Sequence, residues 1–542
     1  MNYKSLGFWI LIITIFAFSM AIFLSVKYAT TLTKKLLAVL GVFSFLWIVG
    51  ILLKIFSTDI LELITIFELI VFALTIVFVK TDDELKDYRS IKLENGWLIE
   101  DVFMGVGIVA SAGSAKTRGV IVKLFKAFAK RKLAGIIFCY KNLELVEYML
   151  PLYPRNDIYT FAPSYPNITC KLNPLDAKLI EDESTIEDFY RSVYKTMKKK
   201  HKASSGASEF FENATVGLAV GITWIMKSHD AKHCSIPHIA SVCLGNDRAT
   251  LSKILETDMR ASVKASAFLN ASSEATNDVM ATIAVFFNYF ANPRAFYCLY
   301  DEDGKYVDMK VNNPKRRKNL CFVNDMANEE TFMPLINALI FYAIKKCLTG
   351  PRCPMQFMVD EGSAINANHL SDVPAKLRAY DITTIFCIQS ISLAYEKLGR
   401  EETEATFSNL STKFIGKTED PNTGKFFENI FRYKDVRKTT RSYKSGIFGS
   451  MNGNVSEQLR EQKEFRAPDF AGLQKGEFIA FFAGFAKKIF FKYSDKFVEK
   501  REVEDVRKVA QEELDRNYVQ ILAWGRQFPT VYFNSFAGYL NQ

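Results

Sequence analysis

The chain has 542 residues, long enough for a membrane anchor followed by two domains. Its net charge of +10 permits an anionic partner without requiring one. Its mean hydropathy of +0.03, with 46 Phe, is high for a wholly soluble protein. Nine scattered cysteines without a C-x-x-C pair argue against a disulfide framework and fit a reducing cytoplasm. A membrane-anchored AAA protease is excluded because the chain has no H-E-x-x-H motif.

The apolar excess lies at the N-terminus, in three runs. These candidate membrane spans are residues 7–26, 36–53 and 60–79. The first two are uncharged and of bilayer-spanning length, whereas the third carries Glu62 and Glu68, which are costly at mid-membrane. The alternatives are buried helices, or a cleaved signal peptide for the first run, which is too long and too closely followed by another. Three spans place both flanking basic groups on the cytoplasmic side, so we predict a three-span anchor over residues 1–89.

A phosphate-type loop follows the first strands beyond the anchor. Residues 103–125, FMGVGIVASAGSAKTRGVIVKLF, have the layout of a strand, a tight loop and a helix. The loop resembles G-x-x-x-x-G-K-[ST] with alanine at both glycine positions, and its residues are Ala110, Ser111, Ala112, Gly113, Ser114, Ala115, Lys116 and Thr117. Such loops hold phosphates with backbone N–H groups at a helix N-terminus. Because a positive φ at Ala115 would cost about 1–2 kcal/mol, we predict a real but weakened ATP site.

The pattern after the loop is that of an α/β protein. A helix is predicted at 117–130, and the apolar strand LAGIIFCY follows it, which gives a parallel α/β unit. Residues 175–293 change to helical periodicity, and β-branched runs return at NLCFV, MQFMVDE and ITTIFCIQS. We therefore predict an α/β nucleotide-binding domain over residues 90–174 and 294–542, interrupted by an all-α insertion over 175–293. A charged helix is expected at about 497–516.

Polar residues at the ends of two later strands are candidate partners of the loop. Asp360 and Glu361 end MQFMVDE, where an Asp can hold Mg²⁺ and a Glu can polarise the attacking water. Gln389 ends ITTIFCIQS and could hydrogen-bond a terminal phosphate. Arg378, between them, could stabilise charge on a neighbouring subunit's nucleotide. Each alone fits a plain polar turn or a surface arginine, but their order along the chain is more specific than any one of them.

A cluster of histidines and cysteines leaves two alternatives open. His229, His233, Cys234, His238 and Cys243 could hold zinc, although their spacing matches no zinc template well, or they could form a joint between two helices.

Two basic runs also allow two interpretations. Residues 195–202 read KTMKKKHK, and residues 315–318 read KRRK after a probable hairpin at 297–311. Each run could contact DNA phosphates or form a solvated turn.

Longer segments resemble the type IV coupling proteins of conjugation and type IV secretion (TraG/TraD type). The similarity runs from the N-terminal spans to about residue 500. It includes FFENATVGLAVGITWIMK, MVDEGSAI, CIQSISLAYEKLG, FSNLSTKFIGKTEDPNTGKFFENIFR and FRAPDFAGLQKGEFIAFF. The family usually has glycine at the position of Ala115 and often at that of Ala110, and it commonly has D-x-K where this chain has Tyr140 and Lys141.

The resemblance implies a hexameric, RecA-like ATPase anchored in a bacterial inner membrane, with a large cytoplasmic domain. It would receive a relaxase–DNA complex and feed it, or effector proteins, to the secretion channel, using ATP and Mg²⁺. The roles carried over by position are phosphate and Mg²⁺ binding for Lys116 and Thr117, Mg²⁺ binding for Asp360, catalytic base for Glu361, trans-acting finger for Arg378 and sensor for Gln389.

Two other functions remain compatible with the sequence. One is a nucleotide-weak platform that docks substrates without much hydrolysis, which the altered loop favours. The other is a DNA pump of the FtsK/HerA type that acts outside conjugation.

Overall fold

The computed structural model describes residues 88–197, 206–365, 370–444 and 452–540. The three predicted spans lie outside these ranges, and no helix within them has the length and apolarity needed to cross a membrane. The chain divides after Ile91 into two units, and the second, Lys92–Gln542, holds nearly all of the described residues.

The described part of the chain contains thirteen strands, labelled in chain order. They are β1 (Ile91–Lys92), β2 (Leu98–Ile99), β3 (Val106–Val109), β4 (Ala134–Cys139), β5 (Ile158–Phe161), β6 (Asn319–Val323), β7 (Met355–Val359), β8 (Ile382–Ile388), β9 (Thr412–Ile415), β10 (Tyr433–Lys444), β11 (Asn452–Lys463), β12 (Glu477–Phe482) and β13 (Phe485–Phe490).

Nine of these strands form one sheet in the order β13-β12-β9-β3-β8-β7-β4-β6-β5. All neighbours from β9 to β5 are parallel, and β12 and β13 extend the sheet with antiparallel pairings. Strands β4, β6, β7 and β8 are buried along their whole length, as expected for parallel strands covered on both faces. The predicted α/β class is confirmed, and the carboxyl ends of β3, β8, β7 and β4 lie side by side at one edge.

Helices cover the sheet and form a separate helical region between β5 and β6. The described α-helices are Val122–Lys130, Glu144–Met149, Glu183–Met197, Gly206–His229, Ile236–Gly245, Arg248–Leu255, Met259–Lys264, Ser266–Leu269, Thr276–Asn288, Pro293–Leu299, Glu329–Cys347, Asp372–Leu377, Ile391–Leu398, Arg400–Ser408, Pro421–Ile430, Ala467–Ala471 and Gln511–Leu540. Buried aromatic residues such as Phe189, Tyr190 and Phe287 join the helical region to the core of the sheet.

The predicted hairpin at 297–311 is wrong. Its first residues belong to the helix Pro293–Leu299, which Asn292 caps by accepting a hydrogen bond from the backbone N–H of Ala295. The following segment bonds elsewhere, because the N–H of Val307 donates to the carbonyl of Lys171 at 3.0 Å. A distant backbone partner therefore takes the place of the local strand pairing.

The predicted charged helix at 497–516 is also misplaced. Residues before Gln511 run without helix along the α/β part, where the N–H of Arg501 donates to the carbonyl of Glu147 at 3.0 Å. The helix Gln511–Leu540 begins later and packs against Ile236–Gly245 in the helical region. The domain bounds drawn from the sequence stay a prediction, and this C-terminal helix lies against the predicted insertion.

Candidate nucleotide site

The phosphate-type loop joins β3 to a helical segment, as the sequence predicts. Lys116–Ile121 forms a wide π-helical turn that continues into Val122–Lys130. Ala115 adopts the left-handed conformation with φ 69° and ψ 28°. Gly113 also has a positive φ of 80°, and a Cβ there would meet no atom within 4 Å. Ala115 therefore has the expected backbone strain. Glycine at this position would adopt the same conformation with less strain.

Backbone hydrogen bonds from distant segments hold the loop in this shape. The N–H of Ser111 donates to the carbonyl of Lys417 at 3.0 Å, just beyond β9. The N–H of Gly476, before β12, donates to the carbonyl of Ser114 at 3.2 Å. The segments next to β9 and β12 thus hold the loop on both sides. This support explains how a strained alanine persists.

Lys116 extends from this loop to the acidic end of β7. Its Nζ donates to the backbone carbonyl of Asp360 at 3.1 Å and lies 3.9 Å from Oε2 of Glu361. Asp360 and Glu361 are each only 3% exposed. Strand β8 separates β3 from β7 in the sheet, so the long lysine side chain bridges the width of one strand. The loop and the acid pair, separated by more than two hundred residues in sequence, form one site.

Burial and the charge of the other residue have opposite effects on the pKa values of Lys116 and Asp360. Burial lowers the pKa of Lys116, but Asp360, with Cys387 and Glu361, outweighs this effect and raises that pKa above its ordinary value. Lys116 is therefore a cation. Burial raises the pKa of Asp360, Lys116 opposes this shift, and the Glu361 carboxylate reinforces it. A carboxyl group that is both desolvated and beside a second acid is well suited to a divalent cation, which would restore its charged form.

Glu361 has one satisfied and one unsatisfied oxygen. Oε1 accepts a hydrogen bond from the Ser363 hydroxyl at 2.6 Å. Oε2 is buried, lies 3.9 Å from Nζ of Lys116 and has no hydrogen-bond partner among the described residues. A buried carboxylate oxygen is costly to leave unpaired, so this atom is fitted to accept from a group that is not part of the protein. Water positioned for attack is such a group.

A cleft of about 300 Å³ opens in front of the loop at this edge of the sheet. Seven of the eight predicted loop residues line it, together with Gln389, while Ser114 is buried beneath. Seven further residues that were not predicted as site residues line the cleft: Arg118, Lys141, Glu144, Lys475, Tyr493, Ser494 and Asp495. Lys141 lies two residues beyond the end of β4, at the position where the family commonly has D-x-K, whereas the others carry no local motif.

Arg378 stands apart from the other predicted residues. It lies in a short 3-10 turn, Arg378–Tyr380, just before β8, and its side chain is exposed. Gln389 lies just beyond the opposite end of the same strand. Seven strand residues separate the two by roughly 23 Å, so Arg378 does not reach the cleft of its own subunit.

The histidine–cysteine cluster is a joint between two helices. Within it the Nδ1 atoms are hydrogen-bonded, His233 to Asp230 and His238 to Ser235, each at 2.8 Å. Burial holds the pKa of His238 well below its usual range. In the described parts of the chain, no group of three or more His, Cys, Asp or Glu side chains is arranged to hold a metal.

The two basic runs are only partly described. Residues 198–205 of the first run lie outside the described ranges. In the second, Lys315, Arg316 and Arg317 are exposed, whereas Lys318 is buried and donates to the carbonyl of Asp308 at 2.7 Å. The second run lines a groove at the amino ends of β5 and β6, on the edge of the sheet away from the nucleotide cleft. Contact with DNA stays a prediction.

Comparison with known proteins shows similarity to one family over part of the chain. A family model described as the TraM recognition site of TraD and TraG matches residues 354–473, a segment that holds the acid pair, Arg378 and Gln389. The fold is similar to the plasmid coupling protein TrwB in complex with the non-hydrolysable ATP analogue ADPNP, at a TM-score of 0.60 and 14% identity, covering 78% of this chain and 92% of that one. The resemblance to the type IV coupling proteins is confirmed.

Two other coupling-protein structures match in the same way. The unbound bacterial conjugative coupling protein TrwBΔN70 gives a TM-score of 0.58 at 15% identity, covering 75% of this chain and 88% of that one. TrwB in complex with ADP and Mg²⁺ gives 0.58 at 14% identity, covering 75% and 90%. No curated protein sequence is significantly similar to this chain. At these identities the likeness shows the fold, a large parallel-rich sheet with helices around it.

A prediction about the strained loop follows from Ala115. Ala115→Gly should stabilise the folded protein by about 0.5–1 kcal/mol, because the αL strain of about 1–2 kcal/mol exceeds the entropic cost of glycine. We expect this strain to be equal in the free and the bound loop, so ATP affinity should change little. The measurement is the denaturation midpoint of the two proteins beside their equilibrium binding of ATP.

Gly113→Ala is the matched control for this prediction. It introduces the same strain at φ 80° without a steric clash, so stability should fall by a similar amount. An Ala115→Gly protein no more stable than the wild type would show that the loop relaxes around the alanine.

Proposed function

We propose that this protein is a membrane-anchored ATPase that couples a relaxase–DNA or protein substrate to a type IV secretion channel and drives its translocation. The contact of Lys116 with the Asp360–Glu361 pair carries this proposal, because it joins the phosphate-type loop, which lines the cleft, to an acid pair that is buried next to it. The family model and the shared fold support the coupling role.

The residues of the cleft fit ATP and Mg²⁺. The loop offers backbone N–H groups and the cation of Lys116 to phosphates, and Thr117 and the desolvated Asp360 offer oxygen ligands to Mg²⁺. When bound, Mg²⁺ would neutralise phosphate charge. Oε2 of Glu361, which lacks a hydrogen-bond partner among the described residues, would orient and deprotonate the attacking water. The hydrogen bond that Oε1 accepts from Ser363 would hold the carboxylate in place. Gln389, on the same cleft wall, would hydrogen-bond the terminal phosphate.

The proposed partners rest on the similarity to coupling proteins. The matching model is described as a recognition site for TraM, so we propose that residues 354–473 dock a relaxosome protein. TrwB has been captured with ADPNP, with GDPNP and with ADP and Mg²⁺, which supports the same cofactors here. We further propose anchoring in a bacterial inner membrane through the N-terminal runs, with a hexameric ring of cytoplasmic domains around DNA.

A nucleotide-weak docking platform is the second candidate. The strained Ala115 favours it, since a loop that departs from the usual glycine is expected where nucleotide binding has lost importance. The buried and complete Lys116–Asp360–Glu361 arrangement opposes it, because an unused site would not keep two desolvated acids. A DNA pump of the FtsK/HerA type would share this site, and a relaxase gene beside that of this protein would distinguish conjugation from it.

Substitution of Arg378 tests whether neighbouring subunits complete each other's sites. Because Arg378 lies at the far end of β8 from its own cleft, we propose that it serves the site of a neighbouring subunit. Arg378→Ala should therefore lower hydrolysis by about a thousandfold and leave ATP binding nearly intact, as for a group that acts on the transition state. The measurement is DNA-stimulated ATP hydrolysis and ATP binding by the purified full-length protein.

Mixed rings provide the control. Arg378→Ala subunits combined with Lys116→Ala subunits should regain part of the activity, since each supplies what the other lacks. Equal loss of binding and hydrolysis in Arg378→Ala would contradict a role in trans. A wild-type protein that binds DNA and relaxosome proteins without hydrolysing ATP would favour the docking platform.

A further inference from the structure

The nucleotide cleft has two distinct sides, which the strand order sets. In the sequence β13-β12-β9-β3-β8-β7, the phosphate-type loop follows β3 in the middle, and the acid pair follows β7 on one side. Lys475 precedes β12 and Tyr493 follows β13, on the other side. Because β12 runs antiparallel to β9 and β13 runs antiparallel to β12, the start of β12 and the end of β13 lie at the same edge of the sheet as the loop.

This arrangement determines the direction of a nucleotide in the cleft. A terminal phosphate directed at Asp360 and Glu361 leaves the rest of the nucleotide to extend past the loop toward β12 and β13. The cleft wall there consists of Lys475, Tyr493, Ser494 and Asp495. Tyr493 is the only aromatic side chain in the described lining of the cleft, and an aromatic ring is the group best suited to a nucleobase.

The ring of Tyr493 is held in place by its neighbours. Gly476 has a φ of 86°, and a Cβ at that position would lie 2.7 Å from Cδ1 of the tyrosine, so the ring packs directly on the glycine backbone. Nζ of Lys475 lies 5.1 Å from the ring centroid, within cation–π range. Tyr493 is half-buried and borders the cleft. A fixed, half-buried ring needs little ordering when a ligand stacks on it.

The same segment is tied to the phosphate-type loop. Arg118, directly after Thr117, donates from Nη1 to Oδ1 of Asp495 at 2.8 Å and from Nε to the Tyr148 hydroxyl at 2.8 Å. On the other side, Gly476 donates its N–H to the carbonyl of Ser114. The tyrosine and the phosphate-binding groups therefore keep a fixed spacing.

We propose that Tyr493 receives the base of the bound nucleoside triphosphate by ring stacking, with Lys475 beside it. This inference rests on the proposed function, since it takes the loop as the phosphate site. It adds a base-binding wall, formed by residues after β13, that the phosphate motif does not contain.

The test compares two ligands that share phosphates but not a base. Equilibrium binding of ATP and of inorganic tripolyphosphate, each with Mg²⁺, is measured on the full-length protein in detergent. Tyr493→Ala should weaken ATP binding by about tenfold to hundredfold, the usual effect of removing one stacked ring, and leave tripolyphosphate binding unchanged. Tyr493→Phe should bind both ligands as the wild type does, because stacking does not need the hydroxyl.

Tyr493→Leu keeps most of the side-chain volume and separates stacking from packing. It should weaken ATP as the alanine variant does, and its unchanged tripolyphosphate affinity shows that the loop remains folded. Equal weakening of both ligands in the alanine and leucine variants would overturn base stacking and leave Tyr493 as a support of the loop. Unchanged ATP binding would also overturn it. A wild type that binds neither ligand would instead refute the phosphate site, and with it the proposed function.

Discussion

Lys116→Ala is expected to weaken ATP binding by about a hundredfold and to stop substrate transfer. The ammonium group contacts both members of the acid pair, and a charge-assisted hydrogen bond to phosphate contributes about 1.5–3 kcal/mol. The substitution also leaves Asp360, 3% exposed, without its nearest cation, which raises the pKa of that carboxyl further. The measurements are equilibrium ATP binding and transfer from donor cells that carry only the variant.

The stability of this variant should depend on pH in a defined direction. An acid with a raised folded pKa destabilises the native state when pH is above that value, and the loss disappears as pH falls toward the unfolded pKa of about 3.9. Lys116→Ala should therefore lose stability relative to wild type at neutral pH and regain it on acidification. Lys141, an exposed lysine on the same cleft, also lowers the pKa of Asp360 but less than Lys116 does, so Lys141→Ala should shift stability in the same direction by a smaller amount. Equal transfer by wild type and Lys116→Ala would mean that the loop is a relic, and the docking platform would then be preferred.

Glu361→Gln is expected to separate binding from hydrolysis. The amide can still accept from Ser363 through its oxygen, so the local packing is preserved, but it cannot take a proton from water. Hydrolysis should fall by about a hundredfold to ten-thousandfold while ATP affinity stays within a few-fold of wild type. Single-turnover hydrolysis and equilibrium binding on the same preparation measure the two effects.

Ser363→Ala is the companion to this experiment. It removes the hydroxyl that orients Glu361 and keeps the carboxylate, so its effect on hydrolysis should be smaller than that of Glu361→Gln. If Glu361→Gln hydrolysed ATP as fast as the wild type, the unpaired carboxylate oxygen would have no role as a base. A loss of binding as large as the loss of turnover would assign Glu361 to phosphate or metal binding.

The sequence by itself determined the local parts of this site. The strand β3, the loop from Ala110 to Thr117 and the helix after it follow directly from an apolar run, small residues and an amphipathic stretch. Asp360, Glu361 and Gln389 were found because polar residues that end a buried parallel strand emerge at one edge of the sheet. Such features depend on neighbouring residues, which a single sequence displays.

The tertiary structure alone decided which distant segments complete the site. The carbonyl of Lys417 that binds the loop lies 303 residues from Ser114, and Asp495 lies 377 residues from Arg118. Two further long-range contacts were not visible in the sequence. The N–H of Val307 bonds to Lys171 where a hairpin was predicted, and the C-terminal helix packs on the helical region. These contacts depend on the strand order and on which helix and strand faces pack together. The sequence shows that a face is apolar but not which element covers it. Many partners could cover such a face, and only the folded chain selects one.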